Sequence, residues 1–228
     1  MQPPRRTVPR WTKVVGVVLG VLLGAALAFA IIQPIKVLPR IRVAPGYALV
    51  DQAGAAFTSE TARGTVTLYS FVPLDCGEEC DEVASTLREV RDRVPLEADL
   101  ADVDFRIVTI ALADEPDPAA LAAAAAASGA DGEQWRWVGG EWDRVRTVVG
   151  AGFRRYFERD ESGDIEFDRG FVIVDGNGVI RAENRYATVS DDADKLVRQV
   201  GTLGDEIRYA HGFAALGYEA AHLFLCYE

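Results

Sequence analysis

The longest hydrophobic run comes early in the chain. Val14–Ile32 (VVGVVLGVLLGAALAFAII) contains no charged residue, and roughly 20 apolar residues are what a helix needs to cross a bilayer. The run therefore predicts one N-terminal transmembrane helix. Beyond it, apolar residues come in short packets bounded by Gly, Pro, Asn and Asp. Val66–Val72 (VTLYSFV) and Val103–Leu112 (VDFRIVTIAL) are β-branched and aromatic, as buried strands are. Tyr47–Val50 and Ala56–Phe57 flank Asp51-Gln52-Ala53-Gly54, and Phe171–Asp175 and Val179–Ala182 flank Gly176-Asn177-Gly178. Both patterns predict β-hairpins. Gln134–Val138 predicts a further short strand.

Between these packets the period lengthens to that of a helix. Val83, Leu87 and Val90 recur at the spacing of an amphipathic face, predicting a helix that opens at Cys76 and ends before Pro95. Pro118 suits the start of an alanine-rich helix from Ala119 to about Ala127. Glu141–Val149 predicts a short helix closed by Gly150-Ala151-Gly152, and Asp191 or Asp192 could cap another running to about Val200. Glu158–Gly163 is polar and predicts a loop, while Gln33–Ala44 carries two prolines and predicts an extended linker. The chain then divides into a basic N-terminus (1–13), an anchor (14–32), a linker (33–45), one α/β domain (46–204) and a helical extension (205–228). Within the domain, strands alternating with helices imply a mixed central sheet with helices on both faces.

Charge sharpens this division. The formal net charge is -11, yet residues 1–44 hold seven Lys or Arg and no acid, leaving 17 bases against 35 acids in the remainder. So acidic a domain repels nucleic acid, which excludes a DNA- or RNA-binding role. Arg5, Arg6, Arg10 and Lys13 precede the apolar run, as positive-inside placement requires of a cytoplasmic N-terminus. A cleaved signal peptide is the competing reading, because Ala28-Phe29-Ala30 fits a small-x-small cleavage pattern. The run exceeds the ~7–15 apolar residues of a signal peptide, which favours an uncleaved anchor. Both readings place the domain on the extracytoplasmic side of the cytoplasmic membrane.

Candidate chemistry centres on two of the three cysteines. Cys76 and Cys80 form a C-x3-C pair where the strand ending at Val72 meets the following helix. Four residues apart on a helix, their Cα atoms would stand about 6 Å apart, within disulfide range. The same two sulfurs could pinch a soft ion such as Cu(I). A helix start favours thiolate, whereas Asp75, Glu78, Glu79, Asp81 and Glu82 oppose ionisation and make the dithiol a better reductant. A purely stabilising disulfide is the alternative, and a loop so short would contribute little. No Ser-His-Asp set is evident, and two histidines in the whole chain exclude a histidine-rich metal cage.

The strand–Cys–helix order, followed by strand, helix, hairpin and helix, is the thioredoxin-like arrangement. Its landmarks resemble the Sco/SenC family, thioredoxin-fold copper chaperones and thiol reductases of cytochrome oxidase assembly. Gly46–Gln52 (GYALVDQ), Thr65–Cys80, Thr109–Leu121 (TIALADEPDPAAL), Trp135–Gly140 (WRWVGG) and Phe171–Gly178 (FVIVDGNG) carry the resemblance in order. It implies thiol–disulfide exchange at Cys76 and Cys80, copper as cargo on the same pair, and a protein partner such as a copper-binding oxidase subunit. If the protein is an enzyme, it is a thiol–disulfide oxidoreductase.

One departure stands out. The family's third copper ligand is a histidine in the loop before the late hairpin, and Ile165–Gly170 (IEFDRG) contains none. Asp168 there offers only hard oxygen, a poor match for Cu(I). His222 and Cys226, spaced i, i+4 in the C-terminal extension, are the candidate replacement, with His222 as a third metal ligand beside Cys76 and Cys80. The bland alternative docks that helix on the core or the membrane. Two other functions compete: a metal-free thiol–disulfide reductase and a non-catalytic binding module.

Overall fold

The computed structural model describes residues 10–32, 35–74, 76–185 and 193–224. Asp75, the cap candidates Asp191 and Asp192, and Cys226 lie outside the described residues. Arg10–Ile32 forms α1, a helix of 23 residues where the apolar run predicts one. Among the described residues no helix is long and apolar enough to cross a membrane.

An eight-stranded sheet organises the rest. In chain order its strands are β1 (Arg42–Val43), β2 (Ala48–Asp51), β3 (Ala56–Thr58), β4 (Val66–Val72), β5 (Phe105–Ala111), β6 (Trp135–Gly139), β9 (Gly170–Val174) and β10 (Val179–Arg185), and β7 (Phe157–Arg159) with β8 (Ile165–Phe167) makes a separate hairpin. The spatial order is β1-β10-β9-β4-β5-β6-β2-β3. β4, β5 and β6 run parallel, while β9 joins β4 antiparallel. Every residue of β4 is buried, as expected of a central strand covered on both faces.

Side-chain alternation along β4 divides two cores. Val66 and Leu68 face α2 (Glu78–Glu97), α3 (Pro118–Ser128) and α5 (Ala193–Tyr209), packing with Leu87, Val90, Leu121, Leu196 and Val200. Tyr69 and Phe71 face the other way, packing with Phe57, Val145, Val149 and Phe153. This second face is covered by α4 (Trp142–Val145) and the π-helical turn Arg146–Gly152 that continues it. The mixed α/β architecture expected from the element order is therefore present.

Several local expectations change. The helix predicted to end before Pro95 runs through it to Glu97. Proline removes only one N–H there, and Arg93 holds the last turns by pairing with Glu89 at 2.7 Å and Glu97 at 2.8 Å. Gly150-Ala151-Gly152 lies inside the π-helical turn instead of closing a helix. There Gly152 abuts Pro45, and an added Cβ would stand 2.5 Å from the proline ring. The loop expected at 158–163 is largely the β7–β8 hairpin, whose turn is held by Asp160 Oδ1 accepting from the Ser162 and Asp164 backbones, each at 2.9 Å.

The supposed linker is structural as well. Val37 and Leu38 are fully buried, and Arg42–Val43 adds an edge strand to β10. A register shift in β10 at Arg181 turns that guanidinium toward this strap. Arg181 donates to the carbonyl oxygens of Leu38 at 2.7 Å and Pro39 at 3.2 Å, and to the carboxylates of Asp175 at 3.1 Å and Glu206 at 2.5 Å. One buried cation thus ties strap, sheet and α5 together. A last helix, α6 (Ala214–Phe224), packs on the strap through Tyr218 and Ala221.

Candidate functional site

The three parallel strands present their carboxyl ends to one edge of the sheet, the usual location of reactive groups in α/β folds. β4 stops at Val72, and the chain passes through Pro73 and Leu74 to Cys76. Gly77 then takes φ 58° and ψ -132°, a backbone conformation open essentially to glycine. α2 begins only at Glu78, two residues later than predicted. Cys76 therefore precedes the helix and Cys80 lies in its first turn. The glycine brings the two together: they form a disulfide, with Cα atoms 5.3 Å apart.

The two sulfurs have different surroundings. Cys80 Sγ lies 3.7 Å from the carbonyl oxygen of Pro73. Below Cys80 a cavity of about 200 Å³ runs between α2 and α3 down to the sheet. Its walls are Val83, Ala84, Leu87 and Ala124, and its floor is Thr109, Ser128, Trp135 and Trp137. The floor's polar atoms satisfy one another. Trp135 Nε1 donates to Thr109 Oγ1 at 2.9 Å, Trp137 Nε1 donates to Ser128 Oγ at 2.9 Å, and Ser70 and Thr109 share a hydroxyl contact of 2.8 Å. An occupant would meet the apolar wall, the cysteine and, at the rim, Asp81.

Charge lies on the outer side of the pair. Glu78, Glu79 and Asp81 are exposed in the first turn of α2, where acids complement the helix dipole. One turn on, Glu82 pairs with Arg169, which comes from the loop before β9. This is the stretch in which the resemblance implies a histidine. Instead of a ligand, the loop places a guanidinium against the cysteine-bearing helix. Asp168 donates its backbone N–H to the Tyr156 carbonyl at 2.9 Å. The Glu82–Arg169 pairing had no local signal, since the two stand 87 positions apart.

His222 does not join the pair. Its Nε2 contacts Glu206 Oε1 at 3.0 Å, within the cluster around Arg181. Glu206 lies near the end of α5, where Gly204 abuts Asp99 just beyond the C-terminus of α2. Cys76 is at the other end of that 20-residue helix, roughly 30 Å away at 1.5 Å per residue. The expectation of His222 as a ligand beside Cys76 and Cys80 is thus not met by the packing. Among the described residues, no group of three or more His, Cys, Asp or Glu could hold a metal ion. The reduced cysteine pair would itself supply two soft thiolates, a donor set suited to Cu(I) in two-coordinate form.

Comparison with known proteins places this geometry. The SCO1/SenC family profile matches residues 37–203, well over half of the chain. The chain belongs to the SCO1/SenC family. Among solved structures, a SCO1/SenC family lipoprotein from Bacillus anthracis str. Ames superposes with a TM-score of 0.63 at 18% identity, covering 72% of this chain and 96% of that one. BsSco, described as a Sco-family cytochrome c oxidase assembly protein with a disulfide switch, gives 0.62 at 16% identity, covering 75% and 98%. Arabidopsis thaliana ScoI with copper bound gives 0.59 at 16% identity, covering 69% and 98%. These likenesses are ones of fold. No match was found among curated proteins. The SCO1/SenC match starts at the buried strap and ends at Leu203, so α6 lies outside the matched residues.

Proposed function

We propose that the protein exchanges thiols and disulfides through Cys76 and Cys80 in cytochrome c oxidase assembly, on the extracytoplasmic side of the cytoplasmic membrane. The apolar run 14–32 would be its single-pass anchor. The observation that carries the reading is the disulfide at the carboxyl end of β4, set by Gly77 and opening on an apolar cavity. Family membership supplies the biological setting.

In the reducing direction, the Cys76 thiolate attacks one sulfur of a partner disulfide. That S–S bond breaks, and the departing partner thiolate takes up a proton. Cys80 then loses its proton and attacks Cys76 Sγ. The partner's second sulfur leaves as thiolate, the Cys76–Cys80 disulfide forms, and two electrons have passed to the partner. The acids around the pair disfavour thiolate, which makes the dithiol the stronger reductant. An apolar side chain of the partner would fit the cavity beside Cys80.

The deciding experiment uses single cysteine variants of the full chain. Cys80→Ser should accumulate a mixed disulfide on Cys76 that non-reducing gels and mass spectrometry detect, and Cys76→Ser should not. Full activity of both variants in cells would replace this reading with that of a non-catalytic docking module. A second reading, transient Cu(I) carriage, is favoured by the two soft sulfurs. It expects stoichiometric Cu(I) binding by the reduced chain, abolished by either cysteine substitution and unaltered in His222→Ala. Binding that depends on His222 would contradict the placement of that residue.

A further inference from the structure

The most exposed large hydrophobic groups outside α1 include a cluster at the corner between α5 and α6. Phe213 is 94% exposed and Leu216 70%. They occupy one turn, since the Leu216 N–H donates to the Phe213 carbonyl at 3.3 Å. Tyr209, half exposed, closes α5 immediately before. Exposed single hydrophobics need no explanation, but an aromatic and a leucine on one turn form a patch.

The position of that patch says what covers it. Gly217, the residue after Leu216, lies so near the strap that an added Cβ would stand 3.0 Å from Ile35 Cδ1. Tyr218 and Ala221 pack on Val37, and Arg40 pairs with Glu219 at 2.7 Å. Ile35 follows the last residue of α1, Ile32, by three positions. Three residues span at most about 10 Å of chain. The corner is therefore tethered close to the outer end of the apolar run and held there by packing.

We propose that Phe213 and Leu216 insert into the lipid interface beside the anchor, as a second membrane contact. The inference rests on reading 14–32 as an anchor. Aromatic and aliphatic side chains suit the headgroup–acyl boundary. Three neighbouring charges are engaged within the protein, Arg208 with Asp99, Glu206 with Arg181, and Glu219 with Arg40, while Asp205 is exposed on α5. The side chains that Phe213 and Leu216 offer are apolar, which also suits an acidic domain that anionic lipid would repel. It would fix the orientation of the domain and leave the disulfide, beyond the far end of α2, facing away from the surface. The contact lies outside residues 37–203, which the family profile matches.

The test places a benzophenone photo-cross-linking side chain at position 213 of the full chain in phosphatidylcholine vesicles. The control carries it at Val50, partly exposed on β2 near the opposite edge of the sheet. Irradiation should give a lipid adduct at 213 and none at 50. In parallel, alkaline extraction reports whether the chain is anchored. A chain that resists extraction without a lipid adduct at 213 overturns the corner contact while the anchor stands. A chain that is extracted yet labels lipid at 213 overturns the anchor reading while the contact stands. Adducts to residues 225–228 or to a second copy would show that protein covers the patch, and would overturn the proposal.

Discussion

The reactivity of the cysteine pair depends on individual neighbours. Gly77 adopts φ 58° with no heavy atom within 4 Å of an added Cβ, so a side chain there meets strain but no clash. Gly77→Ala should lower stability by about 1–2 kcal/mol in urea unfolding, and should slow re-formation of the Cys76–Cys80 disulfide because the sulfurs no longer meet. Arg169 is the basic side chain paired with Glu82 on the helix that carries Cys80. Removing it leaves the acids less compensated and the thiolates less favoured. Arg169→Ala should therefore make the reduction potential more negative in a glutathione redox titration. A shift to a less negative value would mean that the guanidinium does not act on the sulfurs electrostatically.

Whole elements are held by groups that local pattern shows unevenly. Asp131 is such a group, at the entry to β6. Partial burial pushes its carboxyl up, but backbone N–H groups of Trp135, Glu133 and Gln134 outweigh this and hold it below the ordinary aspartate value. Its contribution is fully present above the unfolded value of about 3.9 and is lost as pH falls through the lower folded value. Wild-type chain should thus exceed Asp131→Asn in stability at neutral pH, with the gap closing as acid is added below pH 4, measured by chemical denaturation. Strands β4, β9 and β10 were legible because burial leaves long apolar packets. The β7–β8 hairpin was not, because its residues alternate with charges and its turn is closed by Asp160. The strap has the sequence pattern of a linker, because its prolines and arginines resemble one. Its arginines find partners far along the chain, Arg42 with Glu183 and Arg40 with Glu219.

Across the whole molecule, Arg181 is the most consequential buried charge. It joins Leu38, Pro39, Asp175 and Glu206, and Glu206 in turn contacts His222. Arg181→Met would leave carboxylates without their cation. It should destabilise the domain by about 3–5 kcal/mol, read as a lower urea midpoint, and should loosen the strap and α6 in hydrogen exchange before the sheet. Retained stability would mean that water or other cations replace it. By itself the sequence determined what is local: the apolar run, the packets that become central strands, and two cysteines four residues apart at the end of one of them. Together with its ordered landmarks, that was enough for the family. Only the tertiary structure decided what surrounds the pair. Spacing along an element says nothing of partners 87 positions away, so it could not place Arg169 beside the cysteine helix. Nor could it carry His222 to the other end of the domain, or open the cavity beneath Cys80.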